Sequence, residues 1–346
     1  MKFHTINFLS SFSKVIGLKF FQGFLITITF LIYLAPYALG DDESKTELTP
    51  PPGKLNYLSE QRIIKFPFDI YRGDIRFNCK INGHDVQFLL DDGFHWDQLL
   101  FWGSPKVDSL GLKYEGEISI GGSKDDSGIQ SRTASGITVG FPGVELTDQE
   151  AIITPYSSGN SVMWSGSVGQ ISAGLLKHFI VDINFDEMMM TLSEPGKFEY
   201  GGSGVAVPWE PIGFGPWSIP VNLKLSDGRD VSVKVLMDLG YNDQLEIATG
   251  KENSITVPEN STAGSLGRNI EGTETLGYFG RMPQIEIGGY KINNAIVAYI
   301  SEEHSKNTFS EVMIGLGLLS RFNLVFDYYD KRLFIEPNKN FSEPFE

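Results

Sequence analysis

Two short motifs hold the residues best placed to do chemistry. Asp91-Asp92-Gly93 and Asp238-Leu239-Gly240 are both Asp-x-Gly, and they begin 147 residues apart. Each follows an apolar run and leads through an aromatic residue to Asp-Gln-Leu: FLLDDGFHWDQL from Phe88 to Leu99, and VLMDLGYNDQL from Val235 to Leu245. A strand that ends in Asp-x-Gly sets a carboxylate on a tight loop, and the glycine lets the backbone turn and approach closely. One such motif is an ordinary turn. Two, at matched places in a duplicated chain, can meet at a two-fold axis. Carboxyls that close cannot both ionise easily, so one keeps a proton and the pair titrates as a unit. The anion can take a proton from water while the acid donates to a carbonyl oxygen. That is general acid–base hydrolysis without a metal, an organic cofactor or a covalent intermediate.

The elements around the motifs repeat as well. Ile81-Asn82-Gly83 and Ser226-Asp227-Gly228 stand upstream, where tight turns would join two strands. Downstream, Ile137 to Gly140 matches Ile285 to Gly288, and Ala151-Ile152-Ile153 matches Ala295-Ile296-Val297. Leu-Leu-x-x-Phe follows at Leu175 to Phe179 and at Leu318 to Phe322. Both copies lead into alternating hairpins, 180–192 and 323–335, and stop at Glu194-Pro195 and Glu336-Pro337. The order and spacing predict two copies of one β unit of about 140 residues, well above the 20–50-residue period of solenoids. Pro208 to Pro216 reads as their connection.

Composition narrows the partners. Of 346 residues, 28 are Lys or Arg and 43 are Asp or Glu, a formal charge of −15. Nucleic-acid binding and docking on anionic lipid both need basic surface, so neither is expected. With Cys79 as the single cysteine, an intrachain disulfide and a cysteine zinc cage are excluded. Cys79 itself reads as a buried strand residue, and His95, near Asp91, as a loop residue. Residues 1–40 carry three lysines, no acid and an apolar run from Phe20, and end in Ala38-Leu39-Gly40. They read as a signal peptide cleaved after Gly40. The open alternative is a retained membrane anchor, since the run is about long enough to span a bilayer. Without them the charge becomes −18. Residues 41–62, with three consecutive prolines, read as a polar arm.

On the two loops and one later pattern, the chain resembles the pepsin and retropepsin-like aspartic peptidases over residues 63–337. The later pattern is apolar-apolar-Gly-x-x-Leu-Leu. It stands intact from Met313 to Leu319, and from Gln170 to Leu176 it has Ser172 where glycine is expected. The resemblance implies a mainly β fold of two pseudo-symmetric lobes, 63–207 and 208–340, around a central cleft. It implies Asp91 and Asp238 as the catalytic dyad of an exported endopeptidase, secreted or periplasmic, acting on a peptide or protein. Gly93, Gly240, Phe94 and Tyr241 would line the substrate, with Gly121 and Gly122 in a hairpin flap. No metal and no cofactor are implied, and two lobes in one chain remove the need to dimerise.

The chain departs from the family at the middle loop residue, which is ordinarily Thr or Ser with a hydroxyl that ties the loops together. Here it is Asp92 and Leu239. The Leu239 side chain can form no such bond, and Asp92 adds a third carboxyl that should raise the dyad's pKa values. Phe94 and Tyr241, bulkier than the usual Ala or Ser, would narrow the cleft. The alternative function is a non-catalytic module of the same fold that binds a peptide or protein. A sugar- or lipid-binding β protein of another fold would hold Asp91 and Asp238 far apart.

Overall fold

The computed structural model describes residues 53–58, 60, 62–93, 97–120, 128–156, 166–196, 198–212, 217–250, 254–268, 274–300 and 311–345. The candidate signal peptide or anchor, Phe94, His95, Gly121 and Gly122 lie outside the described residues. Among the described residues no helix is long and apolar enough to cross a membrane.

The fold is mainly β, built as two pseudo-symmetric lobes. Each begins with a hairpin that ends at one Asp-x-Gly loop. In lobe 1, Asp74–Ile81 pairs with His84–Leu90 across Asn82 and Gly83. Both turn residues have positive φ, 49° and 84°, as a two-residue hairpin turn with the right twist requires. In lobe 2, Trp217–Lys224 pairs with Asp230–Asp238, and Gly228 supplies the left-handed position of a slightly longer turn. Alternation drives the strands: Ile75, Phe77, Cys79 and Ile81 are buried on one face, as are Ile219, Val221 and Leu223 in lobe 2.

A short strand inserted later in each lobe locks its loop. Gly169–Ile171 lies parallel to the strand before loop 1 and antiparallel to Leu99–Trp102, which follows it. Val312–Gly315 does the same between Asp230–Asp238 and Leu245–Ala248. One-turn helices follow, Ala173–Leu176 and Leu316–Leu319, each with leucines buried in its lobe. The glycines inside these helices explain the repeated Asp-Gln-Leu. A Cβ on Gly174 would strike the backbone of Asp97, and one on Gly317 the backbone of Asp243. The repeat therefore marks where the chain re-enters the lobe against a helix.

The lobes share a sheet. The hairpin of Ile180–Asn184 and Met189–Ser193 meets the hairpin of Phe322–Asp327 and Arg332–Pro337 edge to edge. Asp182 pairs with Val325, its own counterpart in the repeat. Equivalent residues can face each other only where a two-fold axis passes between them. The turns match too: Met188 and Lys331 both take positive φ. Val205–Pro208 and Ile63–Tyr71 flank this shared sheet. The seam beside it is aromatic, with Trp209 stacked on Trp217 and both edged against Tyr328. Within residues 41–62, Lys54–Tyr57 forms a strand against Val144–Thr154. Its alternating sequence finds a free edge to pair with.

Candidate functional site

Asp91 and Asp238 meet. Each carboxyl lies against the glycine of the opposite loop. A Cβ on Gly240 would sit 2.6 Å from Asp91 Cγ, and one on Gly93 would collide with the Asp238 carboxyl. The two carboxyls are hydrogen-bonded to each other. This is the reason for glycine in both motifs: a side chain at either position would occupy the space of the opposing acid. It also excludes a fold that holds the two aspartates apart.

Loop 1 is held by the Asp91 N–H, which donates to the Ile171 carbonyl at 3.0 Å. The Asp91 Oδ2 atom accepts from the Gln170 side-chain amide. In loop 2, the Gly240 N–H donates to Asp238 Oδ1 at 2.8 Å. Beyond that loop the Tyr241 carbonyl accepts from the Leu316 N–H at 2.7 Å. Asn242 closes against the lobe 1 turn at Arg72 and Gly73.

The loops are tied through Asp92. It is 3% exposed, and its Oδ1 accepts the Leu239 N–H at 2.6 Å. The Leu239 side chain is fully buried and contributes no polar group, as its type requires. The tie thus runs through a carboxyl and a backbone amide. Asp92 Oδ2 is buried and has no hydrogen-bond partner among the described residues.

Electrostatics separates the two candidate catalytic acids. Burial pushes the Asp238 carboxyl well above its ordinary range, and the charge of Asp92 pushes it further; the Gly240 N–H and Asp91 pull it back only in part. Glu246 adds a weaker push in the same direction. Glu246 is itself raised to about 7 by burial and then by Asp243. Asp91 instead receives an amide donor, which favours its anion.

The remaining expected residues are placed as follows. The Tyr241 hydroxyl donates to Asp243 at 3.3 Å and bonds Glu246, and its ring lies over Gly315. Asp97 accepts from Lys177 at 3.0 Å. Cys79 is buried, and its thiol is pushed upward by burial. Lys113–Ile120 and Ile129–Phe141 form the hairpin that leads toward Gly121 and Gly122. Sequence patterns did not show that lobe 2 has a matching hairpin, Thr262–Arg268 with Glu274–Ile287. Each hairpin packs on a matched apolar cluster, Ile118 and Ile120 with Leu100 and Ile152, and Leu266 and Phe279 with Ala298 and Ile300. Gln170 and Glu246 were also missed. The only signal was a polar residue inside a short apolar strand. Among the described residues no group of three or more His, Cys, Asp or Glu side chains is arranged to hold a metal ion.

No family model matches the chain, and no curated protein matches it. Among solved structures it is similar to Basic 7S globulin from soybean, with a TM-score of 0.47 and 9% identity over 82% of this chain and 97% of that one. The assignment of two pseudo-symmetric β lobes stands on the strand pairing and the crossed loops.

Proposed function

We propose that the chain is an exported aspartic-type endopeptidase that hydrolyses a peptide or protein as a monomer. The interlocked Asp-x-Gly loops carry this reading, because they bring two carboxyls into hydrogen-bonding contact, one favoured as the anion and one as the acid. In the proposed reaction Asp91 takes a proton from water as its oxygen attacks the peptide carbonyl carbon. Asp238 gives its proton to the carbonyl oxygen, leaving a gem-diol. Asp238 then recovers a proton from a gem-diol hydroxyl, Asp91 gives its proton to the amide nitrogen, and the C–N bond breaks. Gln170 holds Asp91 in its ionised form between turnovers.

The test is digestion of an unfolded protein by the purified chain between about pH 3 and 7, where one proton is shared by a carboxyl pair. Wild type is expected to digest, with inhibition by a statine-type compound. Asp91→Asn and Asp238→Asn are expected to be inactive while folded. Both variants digesting like wild type would overturn the mechanism. The buried Leu239 side chain, where the family has a hydroxyl, favours a second reading: a non-catalytic peptide-binding module. Saturable peptide binding with no cleavage at any pH would select it.

A further inference from the structure

Asp92 occupies the position of a loop-tying hydroxyl, yet it is an acid. An ionised carboxylate accepts hydrogen bonds and donates none, whereas a protonated one does both. Oδ1 is satisfied by the Leu239 N–H, and Oδ2 is buried without a partner among the described residues. Asp91 faces Asp92 from the same loop and Asp238 from the opposite one. Tyr328, just past the strand Phe322–Asp327, is fully buried; burial, and then the charge of Asp92, push its hydroxyl pKa upward. Trp209 is edged against that ring, and its indole nitrogen is likewise buried and unpartnered among the described residues. Glu246 acts from beyond Asp238. None of these groups is a cation. An ionised Asp92 would be a buried anion with a backbone N–H of the opposite loop as its cross-loop donor and other carboxyls around it. Burial of that kind is costly unless the charge is paired or neutralised.

We propose that Asp92 is a positioning residue that works as a neutral acid. Its Oδ1 clasps loop 2, its Oδ2 keeps a proton, and loss of that proton moves the upper pH limit of the dyad upward, because a third anion beside Asp238 makes Asp238 hold its own proton longer. Burial supports this by raising the Asp92 carboxyl to about 7. Only the pH limit rests on the peptidase reading. The clasp and the retained proton belong to the fold whatever the chain does.

Asp92→Asn keeps a carbonyl acceptor for the Leu239 N–H and cannot ionise. Asp92→Thr keeps a hydroxyl acceptor and serves if the asparagine variant folds poorly. Infrared spectra of the whole protein at pH 6 are expected to show one protonated-carboxyl band fewer in either variant than in wild type. Unfolding at that pH is expected to release about one proton fewer, because wild-type Asp92 holds a proton that the unfolded chain has lost. An unchanged band and an unchanged proton release would overturn the neutral acid. In cleavage assays, the alkaline limb of the pH–rate profile is expected to move downward by about one unit in Asp92→Asn, because the anion that helps Asp238 keep its proton is gone. An unmoved limb in an active enzyme would overturn the pH limit. A wild-type chain that cleaves nothing would count against the peptidase, and the infrared and proton-release measurements would still decide the state of Asp92.

Discussion

In lobe 1 the strands beside the Asp91 loop carry the cross-strand pair Leu100 and Gln170; in lobe 2 the corresponding pair is Glu246 and Met313. The polar member has changed strand and changed character. In lobe 1 it is a neutral amide that donates to the adjacent aspartate, and in lobe 2 it is an acid that repels it. A duplicated scaffold thus presents two identical side chains in opposite electrostatic settings. The backbone supplies proximity; in lobe 1 an amide favours the Asp91 anion, and in lobe 2 Glu246 adds to the larger effects of burial and Asp92 on Asp238. A second difference lies at the inserted strand. Ser172 in lobe 1 stands where lobe 2 has Gly315, over which the Tyr241 ring is packed.

That second difference offers the largest expected effect. A Cβ on Gly315 would strike the carbonyl oxygens of Tyr241 and Asp243 as well as the Tyr241 ring. Gly315→Ser is expected to cost about 3 kcal/mol or more, or to prevent lobe 2 from closing. The reverse exchange, Ser172→Gly, is expected to cost about 1 kcal/mol through backbone entropy. Denaturant midpoints measure both, and equal losses would show that the lobes tolerate the position alike.

Exchanging the polar pair should be felt next, in the pH profile of cleavage. Gln170→Met copies lobe 2 into lobe 1 and removes the donor from the Asp91 carboxylate. A hydrogen bond to a charged group is worth about 1.5–3 kcal/mol, so the acid limb is expected to rise by about one to two pH units. Glu246→Leu copies lobe 1 into lobe 2 and removes a negative neighbour from Asp238. Its alkaline limb is expected to fall by about half a unit. Limbs that move together in the same direction would contradict the assignment of anion and acid.

Stability against pH sharpens the comparison further. Burial raises Glu246 to about 7 and Asp182, on the shared sheet, to about 6. A raised acid holds its proton in the folded chain after the unfolded chain has lost it. Its contribution is therefore complete below the ordinary carboxylate range and is lost as pH rises to 6–7. The protein is expected to be most stable in mild acid. Glu246→Gln should flatten the decline by about one proton, measured as the change in unfolding midpoint between pH 4.5 and 7.

The smallest effect is expected at Asp97. Lys177 reaches it in lobe 1, whereas in lobe 2 Asp243 accepts from the Tyr241 hydroxyl instead. The pair is partly exposed, so Lys177→Ala should cost less than about 1 kcal/mol and less again in salt. A loss above about 2 kcal/mol would show the ion pair to be as strongly coupled as a buried one.

Much of the architecture was legible before any coordinates. The paired Asp-x-Gly motifs, the turns at Asn82-Gly83 and Asp227-Gly228, and the terminal hairpins are local signals, carried by residue type and alternation. The lobe 2 hairpin from Thr262 to Ile287 was missed because its residues vary too much from its counterpart for a repeat to be seen. Gln170 and Glu246 were missed for a different reason. A single polar residue in a short strand says nothing of its neighbour until the strands pack: Gln170 arrives on a strand 79 residues beyond Asp91, and Glu246 on the strand that follows the Asp238 loop.

From the sequence alone came the duplication, the two carboxylates and the glycines that follow them, because repetition and backbone freedom are written residue by residue. Tertiary structure decided what those residues face. It laid each aspartate on the opposing glycine and buried Asp92 against the Leu239 amide. It also set an amide beside Asp91 and an acid beside Asp238. Proton affinities depend on burial and on charges within a few ångströms, and those are fixed only when distant segments pack.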